Sequence, residues 1–113
     1  LDMVGAPGAK FYKEQISMQF AAHVVNKVWS TASKLGFGQY FIDDQGGGIT
    51  DDHLYVNKLA NIPSIDIIQY DPASGSGFGA YWHTTNDTME NIDKNTLFAV
   101  GTTLLNMVYT EAP

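Results

Sequence analysis

Alternation of helical patterns with short apolar runs is the feature that most constrains the fold. Residues 17–35 and 93–111 both carry apolar side chains at the three- and four-residue spacing that marks an amphipathic helix. Residues 62–68 are rich in β-branched side chains and contain one acid, which is typical of a buried strand. Helices that alternate with such strands cover the faces of a sheet. The sequence therefore predicts an α/β domain.

Local signals predict where these elements begin and end. Ser17 is the candidate N-cap of the first helix, and Gly36 follows its last residue. Residues 51–60 form a shorter helix candidate, and residues 39–42 form a short strand candidate. Three glycines at 46–48 require a turn or a close backbone approach.

Composition excludes several classes of function. The chain has 113 residues, twelve acids against six bases and a formal net charge of -6. It has no basic cluster that could neutralise phosphates, so we expect no nucleic-acid partner. No apolar run is long enough to span a membrane. The absence of cysteine excludes disulfides and zinc–thiolate sites. A first residue of Leu rather than Met favours a mature or truncated piece of a longer protein.

A polar loop at residues 82–93 is the strongest candidate for a site. His83 follows a tryptophan and precedes hydroxyls, amides and acids, a composition that a core segment would not tolerate. One imidazole at the start of such a loop is a natural metal ligand. The alternative is a structural histidine whose hydrogen bonds are satisfied within the fold.

Acids at three other places are further candidates. Asp2 stands where a strand end gives way to a turn, a position from which side chains in open α/β sheets face the ligand crevice. Asp51 and Asp52 precede His53, and two acids exceed what capping of a helix needs. Asp66 lies inside an apolar run and requires a donor or a cation if it is buried. Ordinary turn or capping roles remain open for each of these acids.

Three motifs in one order resemble a known family. They are Leu-Asp-Met-Val-Gly-Ala at residues 1–6, Ile-Thr-Asp-Asp-His at 49–53 and Trp-His-Thr at 82–84. Together they resemble zinc aminopeptidases of the bacterial leucyl aminopeptidase type and, more closely, animal-type glutaminyl cyclases of the same fold. The resemblance implies a three-layer α/β/α zinc-exopeptidase fold with a mostly parallel sheet. It also implies that residues 1–113 are the C-terminal portion of one catalytic domain.

The resemblance assigns expected roles to six residues. Asp2 and His83 match metal ligands, Asp51 and Asp52 match acids of the catalytic centre, and Trp82 and Phe78 match aromatic positions of the substrate pocket. The family's general-base Glu and its other zinc ligands precede the first motif, and Glu14 and Glu90 do not match them. We therefore expect zinc in the complete domain, and weak or absent zinc binding and no activity in this chain alone.

The expected function follows from the same resemblance. The parent enzyme would act on free N-termini of peptides or proteins, with glutaminyl cyclisation first and aminopeptidase hydrolysis second. A third reading is a peptide-binding module that kept the fold and lost the chemistry. Family members are commonly exported, so a periplasmic or extracellular location is expected. The isolated chain is expected to self-associate through exposed sheet edge and apolar surface.

Overall fold

The computed structural model describes residues 1–112, which form an α/β fold with parallel strand pairing. In chain order the elements are β1 (Phe11–Lys13), α1 (Gln15–Lys34), β2 (Phe41–Gln45), α2 (Asp52–Ala60), a 3₁₀ turn (Met89–Asn91) and α3 (Lys94–Thr110). β1 and β2 pair in parallel. A parallel bridge joins Asp2 to Ile68. The predicted α/β class is thus confirmed.

Both ends of α1 follow from local hydrogen bonding, although its N-cap differs from the prediction. Glu14, and not Ser17, is the N-cap, because its carboxylate accepts hydrogen bonds from the backbone N–H groups of Ile16 and Ser17. Gly36 follows the helix as predicted, with a φ of 88° that glycine adopts without steric cost. The carboxylate of Glu14 thus takes the capping role that was predicted for the hydroxyl of Ser17.

The two other helices lie where the sequence predicts them. Asp51 caps α2 by accepting a hydrogen bond from Asp52 N–H, and Asp93 caps α3 by accepting one from Asn95 N–H. These are side chains that helix N-termini prefer, because they satisfy backbone donors that have no partner within the helix. Helix positions in this chain are therefore encoded locally.

The strand predictions were less accurate. Residues 62–68 were expected to form a strand, yet within them only Ile68 takes part in a bridge. Pro63 cannot donate to a ladder, and Ile62 is exposed, which removes the first half of that run from the sheet. The second strand lies at Phe41–Gln45 rather than at 39–42, and β1 was not predicted at all.

Trp29 of α1 ties the helix to both strands. Its indole Nε1–H donates to the carbonyl oxygens of Phe11 in β1, at 3.2 Å, and Ile42 in β2, at 3.0 Å. Its ring packs edge-on against Phe41 with centroids 5.2 Å apart. Trp29 and Phe41 are both buried, so one side chain supplies apolar packing and satisfies strand carbonyls together.

α3 buries a face that only partly matches the one that its apolar pattern predicts, which is formed by Leu97, Val100, Leu104 and Val108. Its buried residues are small or β-branched: Thr96, Ala99, Val100 and Thr103. Thr96 Oγ1 donates to the carbonyl of Ala6 at 2.9 Å, so a close approach to residues 5–6 selects this face. Of the four predicted residues, Val100 is buried and Leu104 packs against the core, whereas Leu97 and Val108 are 43% and 72% exposed. No helix within residues 1–112 has both the length and the apolar character that crossing a membrane requires.

Candidate functional site

Asp2 lies beside the polar loop that contains His83. A cleft of ≈ 370 Å³ is lined by residues 2–6 on one side and by Tyr81, Asp87 and Asn91 on the other. Tyr81 donates its hydroxyl hydrogen to Gln69. Burial raises the pKa of Tyr81, and the charges of Asp87 and Asp2 raise it further. The first sequence motif and the polar loop at residues 82–93 therefore share one cleft on the surface.

His83 is exposed, and the rings of Trp82 and Phe78 form an aromatic row beside it. Its imidazole stacks on Trp82 with centroids 4.0 Å apart and planes inclined by 22°. Trp82 in turn contacts Phe78, with ring centroids at 4.7 Å. The two residues predicted to bind substrate are thus in contact with each other, and one of them orients the predicted metal ligand.

Left-handed backbone conformations occur beside both predicted metal ligands. Met3, which follows Asp2, has a φ of 49°, and His83 itself has a φ of 55°. Asn61, with a φ of 56°, occupies the C-cap of α2, where this conformation is ordinary. For other residues this conformation costs on the order of 1–2 kcal/mol and is found preferentially at functional sites. Two such residues at the predicted site favour a role for it beyond packing.

Asp51 has the capping role that was the simpler alternative, and it also contributes to a group of acids. Its Oδ1 accepts the Asp52 N–H at 2.7 Å while the residue is half-buried. Asp52 is exposed in the first turn of α2. The negative charge of Asp51 acts on Asp66, as that of Asp2 does. Asp2, Asp51 and Asp66 come from separate segments of the chain, and folding brings them close enough for their charges to interact.

Asp66 is the most perturbed acid of this group. It is 5% exposed, and its Oδ2 has no hydrogen-bond partner among the described residues. Burial raises the pKa of Asp66 to about 6, an effect that His53 opposes and that Asp51 and Asp2 reinforce. A carboxyl group with such a pKa can both give and take a proton near neutral pH, as acid–base catalysis requires.

A buried pair behind this acid group, Glu14 and His53, was missed by sequence reasoning. His53 Nε2 lies 2.6 Å from Glu14 Oε1, and both residues are buried. Burial alone would raise the pKa of Glu14, but hydrogen bonds from Ile16, Ser17 and Ile49 outweigh it and the pKa is lowered. Glu14 is therefore ionised, and His53 donates from Nε2. No local signal distinguishes a buried capping acid from an exposed one.

The described residues do not complete a catalytic zinc site. Residues 1–112 contain no group of three or more His, Cys, Asp or Glu arranged to hold a metal ion. A catalytic zinc takes three protein ligands and keeps one open position. Asp2 and His83 are only two, so they would hold zinc only with ligands from elsewhere.

Replacement of Asp66 by asparagine is expected to change the pH dependence of stability. Because the pKa of Asp66 is raised to about 6 in the native state, the folded chain binds this proton more tightly than the unfolded chain. Its contribution to stability is present at low pH and is lost as the pH rises towards 6. At pH 7 we expect the variant to exceed the native chain by up to about 3 kcal/mol in free energy of unfolding.

Urea unfolding at pH 4 and pH 7 measures this difference, which should fall below about 1 kcal/mol at pH 4. Asp44→Asn changes an exposed acid in the same way and serves as the control. An Asp66→Asn advantage that is equal at both pH values would contradict the raised pKa.

Comparison with known proteins places the chain in a family. Residues 1–108 match peptidase family M28. A glutaminyl cyclase from Tannerella forsythia is 60% identical, with a TM-score of 0.94 over 96% of this chain and 38% of that one. A Zn-dependent exopeptidase from Parabacteroides distasonis is 56% identical, with a TM-score of 0.94 over 96% and 37%.

A leucine aminopeptidase precursor from Bacteroides thetaiotaomicron is also similar, at 49% identity and a TM-score of 0.89 over 96% of this chain and 36% of that one. No curated protein matches the chain. The chain spans less than two fifths of the length of these three structures. The similarity nevertheless extends over nearly all of its own residues, and the chain belongs to peptidase family M28.

Proposed function

We propose that the protein to which this chain belongs acts on the N-termini of peptides or proteins as a zinc-dependent glutaminyl cyclase. The observation that carries the proposal is the electrostatic coupling of Asp2 and Asp51 to the buried Asp66, together with the cleft that Asp2 shares with the polar loop of the left-handed His83. The similarity to the Tannerella forsythia glutaminyl cyclase supports this substrate class.

The acid group suits the proton movement that cyclisation needs. An N-terminal glutamine closes its ring when the α-amine attacks the side-chain amide and ammonia leaves. A proton must then travel from the amine to the leaving nitrogen. A carboxyl group with a pKa of about 6 matches that task, and Asp66 has such a pKa beside Asp51. The aromatic row of Phe78 and Trp82 would cover one face of a small substrate.

Asp2 and His83 are proposed as two ligands of the zinc, which would polarise the reacting amide. The remaining ligands and the general-base Glu would come from the part of the family domain that this chain does not span. On this proposal residues 1–113 form the C-terminal portion of the domain, and this chain alone is inactive. Asp52 is proposed to support the catalytic centre from the first turn of α2.

Aminopeptidase hydrolysis is the second candidate. It is favoured by the similarity to the Bacteroides thetaiotaomicron leucine aminopeptidase precursor, which shares the same architecture at a TM-score of 0.89. The three motifs resemble both groups, although the cyclases more closely, so an assay with two substrates must decide between the activities. An exported location and self-association of the isolated chain stay predictions; the exposed side chains of Phe98, Leu105 and Tyr109 on α3 favour the latter.

A chimeric enzyme tests the proposal. The region of the Tannerella forsythia glutaminyl cyclase that matches this chain would be replaced by residues 1–113. The chimera and the isolated chain would each be incubated with zinc and two peptides, one beginning with Gln and one with Leu. Mass spectrometry is expected to detect loss of ammonia from the Gln peptide with the chimera only.

Each other outcome has a definite meaning. Release of the terminal residue from the Leu peptide would favour the aminopeptidase. Survival of both peptides, with the unaltered Tannerella forsythia enzyme active in parallel, would favour a peptide-binding module. Turnover by the isolated chain would contradict the proposal that its site is incomplete.

A further inference from the structure

One buried carboxylate connects the segments that carry the acid group. Glu14 is 2% exposed and accepts five hydrogen bonds from three parts of the chain. Two come from backbone N–H groups that begin α1, one from the Ser17 hydroxyl, one from Ile49 N–H and one from His53 Nε2. A carboxylate that only caps a helix needs no more than the first two.

The contacts of Glu14 on one side lead to Asp51. Ile49 precedes this acid by two residues and donates to Glu14 Oε2 at 3.1 Å. His53 follows it by two residues and binds Glu14 Oε1 at 2.6 Å. The chain on both sides of Asp51 is thus held by the same carboxylate. Hydrogen bonds to a charged group are stronger than neutral ones, so these two bonds restrict movement of the chain around Asp51.

The contacts on the other side lead to Asp66. Ser17 Oγ donates to Glu14 Oε1 at 2.7 Å and accepts the backbone N–H of Asp66 at 2.9 Å. Ser17 is fully buried, so water does not compete for these bonds. The Ser17 hydroxyl therefore links the carboxylate of Glu14 to the backbone of Asp66.

We propose that Glu14 is a positioning residue, which fixes Asp51 and Asp66 relative to one another through His53, Ile49 and Ser17. It does not touch substrate, because it is enclosed by its own hydrogen-bond donors. The consequence for turnover rests on the proposed function, whereas the geometric role does not. A displacement of a reacting group by one ångström can lower the rate by about 100-fold. Loss of the hydrogen bonds of Glu14 should therefore lower turnover in an enzyme that uses Asp51 and Asp66.

Amide hydrogen exchange on this chain tests the geometric role without any assay of activity. In Glu14→Gln we expect exchange at Asp52 and Leu54, whose amides bond to Asp51 and not to Glu14, to accelerate about tenfold or more. Exchange at Val28, in the middle of α1, should stay within about twofold. Glu111→Gln makes the same change at an exposed residue and should alter none of these amides.

A second variant separates the hydrogen bonds that lead from Glu14 to Asp66 from those that lead to the segment around Asp51. Ser17→Ala should accelerate exchange at Asp66 and leave Asp52 and Leu54 protected, since it removes only the link to Asp66. If Glu14→Gln does not fold, Ser17→Ala decides alone. Equal acceleration at Val28 and at the site amides, or none at the site amides, would overturn the proposal in either variant.

Kinetics of the chimera test the consequence for turnover. Glu14→Gln should lower kcat about 10- to 100-fold and leave KM within about threefold, because the substrate contacts stay in place. Unchanged kcat together with accelerated exchange would show that the positions of Asp51 and Asp66 do not limit the reaction, which would overturn the proposed consequence for turnover and leave the geometric role supported. An inactive native chimera would instead refute the proposed function, and exchange would still decide the role of Glu14.

Discussion

Replacement of His83 by glycine is expected to abolish turnover in the chimeric enzyme and to leave the fold at least as stable as before. Loss of a residue that merely orients a metal ligand costs about 10- to 100-fold in metal affinity or activity, so loss of a ligand should cost at least about 100-fold. Glycine is the informative substitution because His83 has a φ of 55°, which glycine adopts without the cost of a side chain.

Two measurements on the same protein check this result. Turnover of the Gln peptide gives the loss of activity, and the shift of the melting temperature by zinc reports binding of the metal. We expect zinc to raise the melting temperature of the native chimera and not that of His83→Gly. His23→Ala, which removes the exposed histidine of α1, should keep both the zinc effect and the activity.

A His83→Gly chimera that retains turnover would remove His83 from the proposed metal site. Retained zinc stabilisation without turnover would assign it a role in catalysis other than metal binding. Lost stability in the absence of zinc would show that the stacking of His83 on Trp82 outweighs the relief of the left-handed conformation.

Trp29→Ala is expected to lower the free energy of unfolding of this chain by about 3–5 kcal/mol. Trp29 is 4% exposed, and truncation would leave a cavity against Phe41 and two strand carbonyls without their indole donor. Native proteins are stable by roughly 5–15 kcal/mol in total, so this loss is a large fraction of the free energy of unfolding.

Urea unfolding followed by circular dichroism measures this loss. Trp82→Ala is the matched control, since Trp82 is half-buried in a loop and should cost about 1 kcal/mol or less. Trp29→Phe keeps most of the apolar volume but loses the N–H group, so it should cost about 1–3 kcal/mol. A Trp29→Ala variant that loses less than about 1 kcal/mol would contradict the view that this residue joins α1 to the two strands.

Helices and their ends were largely predictable because their signals are local. Asp51 and Asp93 cap the helices that their positions indicate, and Gly36 follows α1 in the predicted left-handed conformation. Such residues act on backbone groups within a few positions of themselves, so no knowledge of distant partners is needed.

Strands and buried faces were less predictable because both depend on distant partners. β1 is three residues long and becomes a strand only by pairing with β2. The buried face of α3 was predicted from Leu97, Val100, Leu104 and Val108. Val100 is buried and Leu104 packs against the core, but Leu97 and Val108 are exposed and Thr96, Ala99 and Thr103 are buried instead. Apolar periodicity identifies a helix, and its neighbours decide which face is covered.

The sequence by itself determined the family, the helices and the residues to suspect, because ordered motifs and caps depend on residue type and spacing. Only the tertiary structure showed that Asp66 is buried with a raised pKa and that the charges of Asp2 and Asp51 act on it. It also showed that Glu14 is hydrogen-bonded to His53 and, through Ser17, to the backbone of Asp66. The physical reason is that burial and electrostatic coupling are properties of proximity in space. Residues 14, 53 and 66 are far apart in the chain, and only folding places their side chains in one low-dielectric environment.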